Sequence, residues 1–408
     1  MSFVQCLPRR WLQSWTPARR AVALLLGVPL IDELAGGLPV LALPVIQQDL
    51  GLTYLQVGWL FALPTLAGLL ADPLLHAASD FLPKRPLLLG GMGVLAAAFL
   101  LAAASQTFAG LLLAFALVGL VNSGALGAAQ GLLIDRAPAA SLQVMTRWTL
   151  TSAIGDLLAP IWVTAVAAFQ LGWRFLLGSG AFLWAVWLLA LLPQRLSTAA
   201  VPPATHAQEG FSLTALRANL ADALKTPLLL RWLGLTILPT ALDEIFLGFA
   251  GLFLRERLAL EPAAISMALG APLVTGLLSL ALLERLRGYL APVPLLALSA
   301  LIALAGLLCF VFAGSLWAAL LGLALTGFGA ATWYPIAKAG AYTTLPGRSG
   351  AVRALVSLGA PFEIGLPLLI GAVAEGWGIQ AGISTLLLAP AMVLLLLPRP
   401  LKSTKVEA

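Results

Sequence analysis

Six carboxylates stand where carboxylates are costly. Asp32 and Glu33 interrupt one long apolar run, Asp243 and Glu244 interrupt another, and Asp156 and Glu363 each sit inside further apolar stretches. An unpaired carboxylate near the centre of a bilayer costs on the order of 3 kcal/mol or more, so such groups are kept where they face a cavity, a partner or water. Carboxylates in such places bind cations or exchange protons. Adjacent helix residues point about 100° apart. One member of each Asp-Glu pair is therefore expected to face a central cavity, and the other the neighbouring helices. The competing use of these acids is structural, as caps or as ion-pair partners for Arg147, Arg231, Arg353 or Lys338. Other chemistry finds little footing. Asp72, His76 and Asp80 recur at i and i+4 along one helix face, but with only two histidines in the chain no metal site is expected. Cys6 and Cys309 are isolated thiols, and no Gly-rich Lys-Ser/Thr phosphate loop is present, which argues against ATP-driven pumping. No cofactor is implied.

The elements that must position these acids are membrane helices. Of 408 residues, 61% are hydrophobic and only 10% charged, whereas a water-soluble domain carries roughly a quarter of its residues charged. A helix needs about 20 apolar residues to cross the hydrocarbon. That ruler places spans at 21–46, 54–79, 86–106, 108–134, 148–170 and 174–193, then at 228–254, 263–284, 291–313, 316–341, 351–375 and 379–397. The expected organisation is an arm at 1–20, a six-helix bundle at 21–193, a linker at 194–227, a second bundle at 228–397 and a tail at 398–408. Cytoplasmic loops retain Lys and Arg. Of the 23 basic residues, Arg174, Arg255 and Arg257 fall on the outer side, Lys338 lies within a span, and the rest fall inside. Both termini are thus expected in the cytoplasm, in a multi-pass protein of the cell (cytoplasmic or inner) membrane, the first span being retained rather than cleaved. In the linker, Phe211, Leu213, Leu216, Leu220 and Leu224 recur at helical spacing, which fits a helix lying along the membrane surface. The +6 net charge is scattered at span edges, so it is a topology signal and not a nucleic-acid footprint.

The two bundles repeat each other. Asp32, Glu33 and Gly37 match Asp243, Glu244 and Gly248 at a displacement of 211. Pro64 matches Pro272, Gln130 matches Lys338, and Pro138 matches Pro346, at 208; Asp156 with Pro160 matches Glu363 with Pro367 at 207. Duplicated bundles can rock against each other about a site at their interface, which is transport by alternating access.

The loop after the second span, His76-Ala-Ala-Ser-Asp80-Phe81-Leu82-Pro83-Lys84-Arg85, resembles the major facilitator signature Gly-x-x-x-Asp-Arg-x-Gly-Arg-Lys. It keeps the Asp and the basic pair and departs at His76, Phe81 and Pro83. Gly155-Asp156-Leu157-Leu158-Ala159-Pro160 is similar to the Gly-x-x-x-Gly-Pro core of major facilitator exporters. Asp32 to Pro39 and Asp49 to Tyr54 are similar to the start of drug-efflux members related to fosmidomycin resistance proteins. The resemblance implies an all-α fold of twelve transmembrane helices in two pseudo-symmetric six-helix bundles. It implies that the first, fourth, seventh and tenth spans line a cavity, flanked by the fifth and eleventh. It also implies gating roles for Asp80, Lys84, Arg85, Gly155 and Pro160. In that fold all six acids approach one space, where burial and mutual repulsion oppose their ionising together. Asn122 and Gln130 on the fourth span, and Trp333, Tyr334 and Lys338 on the tenth, become candidate cavity residues.

The chain is thus read as a monomeric proton-coupled exporter of small cationic or amphipathic compounds, with a small molecule, protons and lipid as its partners and no nucleic acid. The alternatives are an importer of a metabolite or ion, in which Lys338 binds an anionic group, and a polytopic membrane enzyme. The loops lack the Asp-rich or His motifs that an enzyme acting on lipid-linked substrates places there.

Overall fold

Long runs of Leu, Ala and Val become helices in lipid because a helix satisfies its own backbone hydrogen bonds where no water can. The computed structural model of the chain describes residues 17–81, 84–136, 141–194, 196, 227–286, 291–344 and 359–398. The arm to residue 16, nearly all of the linker with its surface helix, and all but the first residue of the tail lie outside the described residues.

The first half comprises α1 (Pro17–Leu50), α2 (Tyr54–Phe81), α3 (Lys84–Ala104), α4 (Phe108–Arg136), α5 (Ser141–Ala168) and α6 (Trp173–Leu191). The second comprises α7 (Pro227–Ile237), α8 (Glu244–Leu258), α9 (Pro262–Leu286), α10 (Pro292–Val311), α11 (Leu316–Ala330), α12 (Trp333–Thr344), α13 (Ala360–Trp377), α14 (Ile379–Ser384) and α15 (Leu388–Leu396). Among the described residues, eleven segments are long and apolar enough to cross a membrane. α13 runs in the place of the remaining span, packed along α2. The chain is a multi-pass membrane protein.

Three crossings expected as single helices are broken, one of them by the 3-10 turn Thr385–Leu387 between α14 and α15. α7 gives way to a 3-10 turn at Leu238–Leu242 before α8 resumes at Glu244. Pro239 lies in that turn, and a proline cannot donate the hydrogen bond that an unbroken helix requires. α11 ends at Ala330 and α12 begins at Trp333, with Pro335 in the first turn, where a missing N–H costs nothing.

The repeat seen in the sequence is also a repeat of contacts. Gly119 of α4 packs on the backbone of Pro64 in α2, and Gly327 of α11 packs on Pro272 in α9, both pairs separated by the 208-residue displacement. Across the interface a glycine meets a proline twice. A Cβ at Gly58 of α2 would lie 2.5 Å from the Pro367 carbonyl oxygen in α13, and one at Gly270 of α9 would lie 3.6 Å from the Pro160 ring in α5. Gly58 thus lets α2 and α13 approach closely, while α5 and α9 meet at ordinary contact distance.

The halves are joined toward one end. Arg255 at the end of α8 donates to the Pro44 carbonyl and to Gln47 Oε1 at 2.5 Å, and pairs with Glu256 at 2.9 Å. The Tyr54 hydroxyl donates to Glu256, and the Tyr54 backbone N–H, first in α2, donates to Glu375 Oε2 at 2.8 Å. Glu375 therefore caps a helix of the opposite half, filling one of the orphan donors of a helix N-terminus. The same end carries Asp49, which accepts from Arg174 at 2.6 Å and from the Trp173 indole at 3.0 Å. By the distribution of Lys and Arg this is the end expected on the outer side.

Candidate functional site

A cavity of about 310 Å³ lies between the halves, within the size range of small-molecule sites. Five of the six acids line it: Asp32 and Glu33 from α1, Asp243 and Glu244 from the break and start of α8, and Glu363 from the first turn of α13. Its apolar walls come from Phe61, Phe99 and Phe115, and Asn122 and Thr240 add polar groups. Among the described lining residues there is no Lys or Arg.

Both members of each Asp-Glu pair line the cavity, which corrects the expectation that one of each would turn away. On α8 the reason is the break: Asp243 has φ −104° and ψ −130°, so it does not continue the helical spacing into Glu244. On α1 the cavity wraps around the helix, and Glu33 also meets α5. Ser152 donates to Glu33 Oε1 at 2.6 Å, and a Cβ at Gly155 would stand 2.5 Å from the Leu30 carbonyl oxygen and 3.0 Å from Glu33 Cβ. Gly155 is thus what allows α1 and α5 to approach.

Asp156 does not line this cavity. It lines an adjoining one of about 240 Å³, between α5, α9 and α11, which shares Asp243 with the first. Glu33 and Asp156 stand close enough to interact directly, one lining each space. The Asn122 amide lies against Asp32, leaving its buried Oδ1 without a partner. Thr240 faces Glu363 Oε1 at 3.4 Å.

The acids are not consumed by structural ion pairs. Among the described residues, Arg174–Asp49 and Arg255–Glu256 are ion pairs at the outer end, and none is made by the six. Arg231 donates to the Leu397 carbonyl at 3.3 Å, and Lys338 Nζ bonds Tyr334 Oη at 2.6 Å while lying 4.6 Å from the Tyr334 ring centre. Arg353 lies outside the described residues.

The remaining candidates scatter. Asn122 lines the larger cavity and Tyr334 the smaller. Trp333 is fully buried in the core of the second half with its indole N–H unpaired, and neither it, Gln130 nor Lys338 is among the residues lining these cavities. The sequence could not show this, because the helix break just before Trp333 resets which face each residue presents. Of the gating candidates, Arg85 donates to the Leu192 carbonyl at 2.7 Å and Lys84 lies against Gly131 of α4, both within the first half. The Asp80 side chain lies outside the described residues, as do those of Asp72 and His76. Pro160 does meet the other half, at Gly270.

Sequence reasoning missed Phe61, Phe99, Phe115, Ser152 and Thr240 around the acids, and the whole outer network of Gln47, Tyr54, Arg255, Glu256 and Glu375. Only Arg255 carried a signal, as a basic residue on the outer side.

Comparison with known proteins bears on the fold and the family. The crystal structure of the nucleoside transporter NupG superposes with a TM-score of 0.73 at 16% identity, covering 92% of this chain and 97% of that one. A bacterial homolog of the human lysosomal transporter Spinster, in an inward-facing and occupied conformation, gives 0.75 at 13% identity, with 94% and 97% covered. The human organic anion transporter MFSD10 (TETRAN) gives 0.58 at 21%, with 94% and 100% covered. A search of curated protein sequences finds no match. The family model for the Major Facilitator Superfamily matches residues 30–359, most of the chain including every acid of the site but Glu363. Two pseudo-symmetric helical halves around a shared cavity, with a sequence that fits this model over that length, make the chain a member of the Major Facilitator Superfamily with its transporter fold.

Proposed function

We propose that the chain is a secondary active transporter that exports cationic or amphipathic small molecules in exchange for protons. The observation that carries this is the meeting of Asp32, Glu33, Asp243, Glu244 and Glu363 in one cavity with no Lys or Arg among its described lining residues. Carboxylates without fixed basic partners must be neutralised by protons or by a cationic guest, and the two compete for the same charge. An ionised carboxylate can only accept hydrogen bonds. The contact between Glu33 and Asp156 therefore holds one proton when it is a hydrogen bond, and that proton leaves when a cation takes its place. Closure at the outer end by Arg255, Glu256, Glu375 and Tyr54 fits a state in which the cavity serves the inner side; rocking about the two Pro-Gly contacts would expose it to the other.

Import of an anionic metabolite through Lys338 has less support. That ammonium is held by Tyr334, and Lys338 is not among the lining residues.

The test uses purified protein in liposomes with an acidic lumen and ethidium as the transported cation. Ethidium uptake accompanied by lumen alkalinisation is expected, with Asp32→Asn and Asp243→Asn transporting poorly or without proton movement. Ethidium movement that never alkalinises the lumen would sink the coupling, and wild-type transport by the Asn and Gln variants of all four paired acids would remove them from the site.

A further inference from the structure

The smaller cavity is built unlike the larger one. Asp156 and Asp243 supply its carboxylates; most of the remaining lining is apolar, with Leu157 from α5 and Leu273, Leu277 and Leu280 from α9, and Tyr334 from α12 adds a phenol. The cavity has a definite cause. α5 and α9 touch where Pro160 meets Gly270, and farther along α9 the small residues Gly276, Gly327, Ala330 and Ala331 line this wedge on its α11 side. A Cβ at Gly276 would reach only to ordinary contact, 3.4 Å from Ala331 Cβ and 3.5 Å from the Gly327 carbonyl oxygen. Leu277 and Leu280 are each 37% exposed and Tyr334 43%, so the wedge is accessible from outside. It holds about 240 Å³ and it joins the larger cavity at Asp243.

Resting on the carboxylate reading above, we infer that this wedge seats the apolar tail of the cargo, which makes the cargo an amphipathic cation: its charged head lies between Asp243 and Asp156, and its hydrocarbon chain lies between α5 and α9. A small hydrophilic cation would satisfy the acids and leave the leucines unused. A neutral apolar guest would fill the leucine-lined end and leave two carboxylates without a counter-charge. A molecule with a cationic head and one alkyl chain matches both ends, and the exposed rim of Leu277 and Leu280 lets the chain enter from the bilayer side.

The experiment is calorimetric titration of the whole chain in lipid nanodiscs with tetramethylammonium and its butyl-, hexyl- and octyl-trimethylammonium homologues, with empty nanodiscs as the partition control. Burying each methylene contributes about a fourfold gain in affinity, so affinity is expected to climb about fourfold per carbon until the wedge is full. Gly276→Leu fills the wedge; it should leave tetramethylammonium binding within about twofold and flatten the gain per methylene toward one. Leu277→Ala enlarges the wedge and should carry the climb to longer chains, which keeps the inference testable should the Leu variant fail to fold. A gain per methylene unchanged in Gly276→Leu, or a climb that in Leu277→Ala stops at the same chain length as in the wild type, overturns the tail seat. Loss of tetramethylammonium binding in Asp243→Asn and Asp156→Asn reports separately on the carboxylates: retention of that binding in both variants would overturn the proposed function whatever the slope does.

Discussion

Separating the outer ends of the two halves requires breaking a small, identifiable set of bonds, and the effect of weakening them can be worked out. Glu375 accepts from the first N–H of α2 at 2.8 Å, and Glu256 accepts from the Tyr54 hydroxyl. Removing a helix cap costs about 0.5–2 kcal/mol, and one hydrogen bond to a charged group about 1.5–3 kcal/mol before screening. Both sites are reached by solvent, so about 1 kcal/mol each is the appropriate scale. Together Glu375→Ala and Tyr54→Phe should shift the balance between outer-closed and outer-open forms by about 2 kcal/mol, or about 30-fold. A protein closed at about 99:1 would become closed at about 3:1. Spin labels at Gln106 and Glu261, both exposed at this end, placed in a Cys6→Ser, Cys309→Ser background, would report this as a new long-distance population. An unchanged distance distribution in a folded double variant would show that these bonds do not hold the ends together.

Three further outcomes follow from the geometry. Gly155→Ala forces a Cβ to 2.5 Å from the Leu30 carbonyl oxygen and should cost about 1–3 kcal/mol as α5 is pushed off α1; Gly90→Ala, in α3 with nothing within 4 Å, should raise stability by about 0.5–1 kcal/mol, both read by thermal unfolding. Glu33→Gln and Asp156→Asn should be non-additive in cation affinity, with a coupling of about 1 kcal/mol or more because the two side chains interact directly; additive effects in a double-mutant cycle would contradict that contact. Lys338→Gln should leave ethidium binding within about threefold, on the order of 0.6 kcal/mol, since the ammonium is spent on Tyr334; a large loss would put Lys338 in the site.

Much of this was legible in the sequence, and the parts that were not share a cause. The apolar runs gave the crossings, because the length a bilayer demands is written directly in composition. The 207- and 208-residue displacements gave the duplication, and Gly119 on Pro64 beside Gly327 on Pro272 is its physical form. The acids could be singled out because charge in hydrocarbon is rare for energetic reasons. Direction was the missing information: in a helix that is apolar all round, hydropathy does not say which side faces the cavity. Phe61, Phe99 and Phe115 therefore carried no signal, and Trp333, which looked like a cavity residue, is core. The break at Leu238–Leu242, beside which Asp243 and Glu244 both reach the cavity, went unread because the length of an apolar run does not show a turn within it. The outer network was illegible because its partners lie far apart in the chain; Tyr54 and Glu375 are 321 residues distant.

Gly58 under Pro367 and Gly270 beside Pro160 put one glycine–proline contact on each of two seams between the halves, and the two are not equally tight. A methyl group at Gly58 would stand 2.5 Å from a carbonyl oxygen, whereas one at Gly270 would sit at an ordinary 3.6 Å from the proline ring. One seam is therefore closed to any larger side chain while the other would accept an alanine, so mutation bears on the two sides of the molecule unequally.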